Sequence, residues 1–316
     1  MNKTRVLVCG ATGFIGRNVA EALAADPDFE VYGTHWKSAP LDHPGIEMIK
    51  ADLTRKTQVD RVVEGMDVVI QAAATTSGAK DIVTRPHIHV TDNAVMNSLL
   101  FRAAFEADVR HVVFFSCTTM YLSGETPLKE TDFDANREMH KNYFGVGWTK
   151  VYLEKMCEFY SRIGKARYTV LRHSNIYGPH DKFDLERSHV FGATMTKVLA
   201  AQDGRITVWG SGEEARDLLY VSDLVDFVRL ALAKQESKFE LFNVGCGKAV
   251  AVKELVRKII DASGQEVSME HDLSKPSIKT SLCLDTAKAR ALGWQPKVGL
   301  EEGIRRTMQW HRANVR

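Results

Sequence analysis

Residues 5–16 read Arg-Val-Leu-Val-Cys-Gly-Ala-Thr-Gly-Phe-Ile-Gly, an apolar run broken by glycines at positions 10, 13 and 16. The run has the length and composition of a buried strand, and an amphipathic helical pattern starts at Phe14 and continues to residue 25. Three glycines at this spacing between a strand and a helix each have a reason to lack a Cβ. One makes the tight turn, one lets a pyrophosphate approach the backbone, and one lets helix and strand pack closely. The free N–H groups of the helix start suit an anion. The stretch therefore predicts a dinucleotide-binding strand–turn–helix of Rossmann type, with Gly10, Thr12, Gly13, Phe14, Ile15 and Gly16 at the cofactor.

The same βα rhythm continues outward. Strand-like runs recur at 30–34, 46–49, 67–71, 110–116 and 168–171, with helical patterns at 58–64, 87–105 and 143–163 between most of them. Repeated βα units predict an α/β fold with a doubly wound parallel sheet. Past Pro179 the pattern loosens into short pieces: strands at 205–209 and 240–244, helices at 222–233, 252–262 and 300–312. These predict a smaller mixed domain, so the expected division is a Rossmann domain over 1–178 and a mainly substrate-binding domain over 179–316, with the chain crossing back at least once.

The 316 residues, 44% hydrophobic and 26% charged, can bury one large core or two fused ones. A net charge of +2 with interspersed acids and bases argues against nucleic acid as a partner. No apolar run reaches the ~18 residues that span a bilayer and no signal peptide is present, so the expectation is a cytoplasmic protein without membrane contact. Five cysteines at wide spacing form neither a disulfide framework nor a metal site, and the 11 histidines form no ligand-spaced cluster.

The end of the second strand bears on the cofactor. An NAD site usually places a carboxylate there for the ribose 2′-hydroxyl. Residues 31–37 offer none, but supply His35 and Lys37, and Arg17 follows the third glycine. A 2′-phosphate would meet cations and no repelling acid, so NADP(H) is expected ahead of NAD.

Residues 172–190, RHSNIYGPHDKFDLERSHV, leave the strand at 168–171 dense in hydrogen-bonding side chains. The carboxyl ends of parallel strands are where ligands bind. Asn175-Ile176-Tyr177-Gly178-Pro179 resembles the N-x-Y-G-P loop of the extended short-chain dehydrogenase/reductases, the NAD-dependent epimerase/dehydratase family. His180-Asp181-x-Phe183 through Ser188-His189-Val190 is similar to that family's GDP-L-fucose synthase branch, and Gly293-Trp294-x-Pro296 with the closing helix extends the likeness over nearly the whole chain. The resemblance implies cofactor contacts from Asp52, Leu53, Ala72, Ala73, Ala74, Ser116, Lys150, His173 and Ile176. It implies substrate contacts from Asn175, His189, Lys197, Trp209 and Arg216, a pocket-closing segment running from Lys275 to Asp285, and a homodimer built on the helices at 87–105 and 143–163.

At the reaction centre the chain departs from its family. The resemblance implies a Tyr-x-x-x-Lys pair; Lys150, followed by Glu154, matches the lysine, but the tyrosine position is Val146. Valine cannot transfer a proton. Tyr143 is the nearest phenol, seven residues before Lys150, and a helical tyrosine there would lean away from Lys150 unless the first turn is unwound. In FFSCTTMY (114–121) the family's catalytic hydroxyl falls on Cys117, with Thr118 or Thr119 available if the strand end shifts register. Dehydratases resemble one another in carrying Asp and Glu where this chain has Thr118 and Thr119, which argues against dehydration. The epimerising histidine is matched by His189, but the position of its cysteine partner is Thr119, which argues against C3/C5 epimerisation unless Cys117 takes that part. The expected catalytic set is Cys117, Thr118, Tyr143, Lys150 and His189.

The sequence thus predicts an NADP(H)-dependent enzyme on a nucleotide-diphosphate sugar, foremost a reductase, with or without epimerase activity, of a nucleotide-linked 4-keto-6-deoxyhexose. The alternatives are an NAD-retaining nucleotide-sugar C4 epimerase and a non-catalytic cofactor-binding regulatory protein.

Overall fold

The run that precedes the glycine turn folds as β1 (Thr4–Cys9), with its last four residues buried. In the computed structural model, which describes residues 3–76, 82, 84–124, 126–185, 188–201, 203–274 and 280–315, β1 is followed by α1 (Phe14–Ala24), β2 (Phe29–His35), β3 (Ile46–Lys50), α2 (Lys56–Val63) and β4 (Val68–Gln71). Next come α3 (Thr91–Glu106), β5 (His111–Phe115), α4 (Phe144–Ile163) and β6 (Arg167–His173). Then the chain leaves for a second lobe through β7 (Asn175–Tyr177), α5 (Val190–Leu199), β8 (Arg205–Trp209) and β9 (Ala215–Tyr220). It returns along α6 (Val221–Lys234) to β10 (Phe239–Val244), and ends with β11 (Ala249–Ala251), α7 (Val252–Ser263), β12 (Ser268–Asp272), β13 (Ser281–Leu282), α8 (Ala287–Ala291) and α9 (Leu300–Asn314).

The large sheet has seven parallel strands in the order β10-β6-β5-β4-β1-β2-β3. Both faces are covered. On one side α1 and α6 pack Val19, Leu23, Leu224 and Phe227 against Val6, Val8 and Ile70. On the other, α2, α3 and α4 bring Val59, Val62, Leu100, Phe101 and Leu153 against Leu7, Val69 and Val112. Strands buried on two faces read as unbroken apolar runs, which is why the sequence displays them so clearly. The strand order reverses between β1 and β4, and a crevice opens at their carboxyl ends.

The second lobe pairs β9 with β7 and β13 in parallel and with β11 antiparallel, and sets β8 beside β12. Phe191, Met195, Leu255, Ile259, Ile304 and Met308 of α5, α7 and α9 close its core.

Two expected helices start differently from their sequence pattern. The one expected over 87–105 is split, because Pro86 opens a 3₁₀ turn through His89 before α3 begins at Thr91. The one expected over 143–163 begins at Phe144, with Lys141–Tyr143 in a separate 3₁₀ turn. The first turn around Tyr143 is therefore outside the α-helix, the unwinding its sequence position required.

A buried ion pair fixes α4 on the sheet. Arg172 of β6 donates through Nε to Glu154 Oε1 at 3.0 Å and through Nη2 to Oε2 at 2.6 Å, with both side chains at most 5% exposed. Ser116, just past β5, donates to the same carboxylate at 2.5 Å, and Arg172 also reaches the Tyr121 hydroxyl at 2.9 Å and the Glu130 carbonyl at 3.1 Å. Removing one partner of such a pair strands a buried charge. Glu154→Leu should lower unfolding free energy by about 3–5 kcal/mol in urea titrations, and Arg172→Met added to it should restore most of the loss. Losses below 1 kcal/mol for the single variant would mean the pair is dispensable.

Candidate active site

The crevice at the switch point continues into the second lobe as one cleft of about 1160 Å³. Its floor is the turn after β1. Gly10 takes φ +74°, and a Cβ there would sit 2.7 Å from Ala73 Cα. Gly13 caps α1 without a side-chain hydrogen bond, and no acid occupies the first helical turn. Uncapped N–H groups with no neighbouring carboxylate fit a diphosphate. Thr12, Gly13, Phe14 and Ile15 line the cleft. Gly16 does not: a Cβ on it would lie 2.2 Å from the Gly10 carbonyl oxygen, so it serves the close packing expected of one of the three glycines.

His35, Trp36 and Lys37 form the wall at the end of β2, with His35 Nδ1 donating to the Ser38 carbonyl at 2.9 Å. Arg17 lies off the cleft wall with its Nε bonded to Glu21 at 2.7 Å, so the basic side chains lining this end are His35 and Lys37. Asp52 and Leu53 lie beside them, the Asp52 carboxyl held below its usual range by the Thr54 hydroxyl at 2.7 Å and backbone N–H, with Arg55 and Lys37 adding their charge. Ala72, Ala73, Ala74, Ser116, His173 and Ile176 complete this half.

At the centre, Lys150 Nζ donates to the Phe115 carbonyl at 2.8 Å and sits 4.8 Å from the Phe114 ring centre. Burial pushes its pKa down, while Cys117, Glu154 and Cys157 push it back up. Cys117 Sγ is 2.9 Å from Thr119 Oγ1, and Cys117, Thr118, Tyr143 and Val146 share the wall with Lys150. Burial raises the Tyr143 phenol; Arg216 draws it down and Cys117 raises it. Lys150 and Tyr143 thus both feel Cys117, and the cation acting on Tyr143 is Arg216. Burial pushes His173 down to about 4 despite its Nδ1 bond to the Ser174 carbonyl at 2.8 Å. His189, deep in the molecule but open to the cavity, is also lowered, by burial and then by Lys182 and His89.

The second lobe adds Asn175, Lys197, Trp209 and Arg216 to the wall. Lys197 Nζ donates to the Thr207 carbonyl at 2.9 Å and lies 5.6 Å from the Trp209 ring centre, which is 43% exposed. Arg216 donates to the Ala215 carbonyl at 2.9 Å and to the Thr280 carbonyl. Of the expected pocket-closing segment, Lys275 and Pro276 lie outside the described residues, while Ser281–Leu282 forms β13 beside Ala215 and Arg216.

With the glycine turn, the Lys150 centre and this second wall in one cleft, the chain can be compared with known proteins. The model of the NAD dependent epimerase/dehydratase family matches residues 6–245. The chain belongs to that family. Within the epimerase/dehydratase family it is 31% identical to a GDP-L-fucose synthase of Azorhizobium caulinodans, covering 97% of this chain and 96% of the relative. It is 25% identical to a GDP-L-colitose synthase of Yersinia pseudotuberculosis, covering 97% of each. In fold it is similar to a UDP-glucose 4-epimerase of Thermotoga maritima solved with UDP-glucose, with a TM-score of 0.88 at 24% identity over 99% of this chain and all of that one.

Sequence reading gave no role to His89, Asp181 and Lys182, all on the cleft wall. His180-Asp181 stood inside the quoted run, but nothing in its spacing marks Asp181 as buried. Asp181 Oδ1 accepts from Lys182 N at 2.7 Å, Oδ2 is buried without a hydrogen bond, and burial raises the carboxyl to about 7. A carboxyl whose pKa is raised on folding favours the native state when protonated, and that stability is lost as pH rises from its unfolded value, about 4, through 7. Asp181→Asn should therefore be more stable than the parent at pH 8, with the difference shrinking toward pH 5. A pH-independent difference in urea unfolding would remove Asp181 as the titrating group.

Proposed function

We propose that this protein is an NADP(H)-dependent reductase of a nucleotide-linked 4-keto-6-deoxyhexose, the nucleotide being GDP or dTDP. The observation that carries the reading is the wall after β5. Cys117, Thr118 and Thr119 stand beside Lys150, with no carboxylate among them to abstract a ring proton. A C4 ketone needs only a hydride and one proton donor, and this centre offers one in Cys117 or Tyr143.

The nicotinamide supplies the hydride when bound. Lys150 would hold its ribose, and the uncapped start of α1 its diphosphate. Cys117 or Tyr143 gives a proton to the nascent alkoxide, with Thr118 able to hydrogen-bond the same oxygen. Asn175 and His189 contact the sugar, Arg216 and Lys197 the diphosphate, and Trp209 the nucleoside. His189 has no cysteine at position 119 to work with, which favours reduction over C3/C5 epimerisation. His35 and Lys37 support NADP(H), since β2 ends without a carboxylate and a 2′-phosphate there would meet both side chains, with Asp52 contributed by the segment after β3. The five free cysteines support a reducing, cytoplasmic setting. A homodimer is supported by Phe144, Tyr152, Phe159 and Ile163 of α4, each at least 50% exposed on one helix.

The first test incubates the protein with NADPH and a panel of GDP- and dTDP-4-ketosugars, following loss of reduced-nicotinamide absorbance and identifying products by NMR. Oxidation with one sugar is expected. Tightly bound NAD in the purified protein and no NADPH oxidation would favour the C4 epimerase, and binding without turnover the regulatory reading. In the active assay, Tyr143→Phe and Cys117→Ala should not both retain full turnover; whichever loses 10²-fold or so identifies the donor. Lys37→Glu should weaken NADPH more than NADH by at least about tenfold in Kd, and Tyr152→Asp with Phe159→Asp should give a monomer by sedimentation.

A further inference from the structure

The loop that begins at Pro179 is fastened to both segments that wall the cofactor half of the cleft. Asn18, on α1, donates from one Nδ2 to the Phe14 carbonyl at 2.9 Å and to the Pro179 carbonyl at 3.0 Å, 161 residues away. Three residues further on, Lys182 Nζ reaches the Thr76 carbonyl at 3.2 Å and hydroxyl at 3.4 Å, directly after the Ala72–Ala74 wall. Between these straps His180, at φ +68°, stacks edge-on against Trp310 at 4.7 Å and approaches Glu21 of α1 at 3.6 Å. The same loop then supplies Asp181, Ser188 and His189 to the substrate side. Any ligand that orders the α1 turn and the segment after β4 must therefore also order this loop.

We propose that Asn18, seconded by Lys182, is a positioning residue that couples the two halves of the cleft, so that cofactor bound on the α1 turn tightens binding of the nucleotide diphosphate. The proposal rests on the functional reading above, which places the cofactor at the turn and the nucleotide in the second lobe. Coupling is reciprocal, so the nucleotide must tighten the cofactor by the same factor.

The test is calorimetric and needs no turnover. NADPH is titrated alone, then GDP, UDP and dTDP are titrated into apo and NADPH-saturated protein. At least one diphosphate should bind the loaded protein about fivefold or more tightly than the apo protein. In Asn18→Ala that factor should fall toward one, with NADPH affinity alone changed less than about threefold. Lys182→Met, which leaves α1 untouched, should lower it in part, and melting curves confirm that both variants fold. A factor of one in the parent, or an undiminished factor in both variants, overturns the coupling while leaving the site reading intact. Failure of every diphosphate to bind the loaded protein removes the site reading and the coupling with it.

Discussion

The position of the reaction centre depends on one buried charge. Glu154 lies one helical turn after Lys150, so the two side chains share a face of α4, and clamping one fixes the other. The clamp is Arg172, a buried guanidinium near the carboxyl end of β6, and the desolvation of both groups is offset by their hydrogen bonds to each other. Ser116 spends its hydroxyl proton on the same carboxylate, which orients the chain just before Cys117. On the far side Tyr121 passes from Arg172 to Asn243 of β10 at 2.8 Å, so the strand that returns from the second lobe is tied into the same network. The sheet and α4 thus meet at one ion pair, one helical turn from Lys150 and its bond to the Phe115 carbonyl.

Against that fixed frame, Val146 stands where the family's tyrosine would. Burial lowers Lys150 while Cys117, Glu154 and Cys157 raise it, and burial raises the Tyr143 phenol while Arg216 draws it down. Cys117, Tyr143 and Lys150 reach the cleft from the first lobe, and Arg216 reaches it from β9 of the second.

How much of this could be read beforehand follows from where each element is buried. β1, β4 and β5 are covered on both faces and read as continuous apolar runs, and the glycine turn is marked by steric demands that leave little choice of residue. The second lobe is different. β7 and β11 have three residues each and β13 has two, and their partners lie far away in sequence, so no local period could reveal them. The cleft residues found by resemblance, from Asn175 to Arg216, line the wall as expected, because the motif carried their spacing. Direction is harder to read from sequence: Arg17 follows the third glycine, yet its side chain is bonded to Glu21, while Gly16 fills the close-packing role that one of the three glycines was expected to have. Asp181 went unremarked because burial, which sets its chemistry, is invisible in a polar run.

The titratable groups of the cleft also narrow what can donate a proton. Near neutral pH the histidines are the usual candidates, but burial has lowered both His173 and His189, so each stands neutral where a donor would have to be charged. A neutral imidazole whose basicity has been reduced can accept a hydrogen bond or orient a hydroxyl; it is poorly placed to protonate an alkoxide. Lys150 keeps its ammonium occupied at the Phe115 carbonyl, and Asp181 has its free oxygen shut away from the cavity. Among the described residues of the wall, the donors the proposed reading uses are the Tyr143 phenol, raised by burial, and Cys117, whose Sγ lies 2.9 Å from Thr119 Oγ1. Arg216 draws the phenol down, and Cys117 shares the wall with Lys150. On the proposed reading, a centre of this kind meets the requirement of carbonyl reduction without the tyrosine, through a neutral donor beside a positive charge.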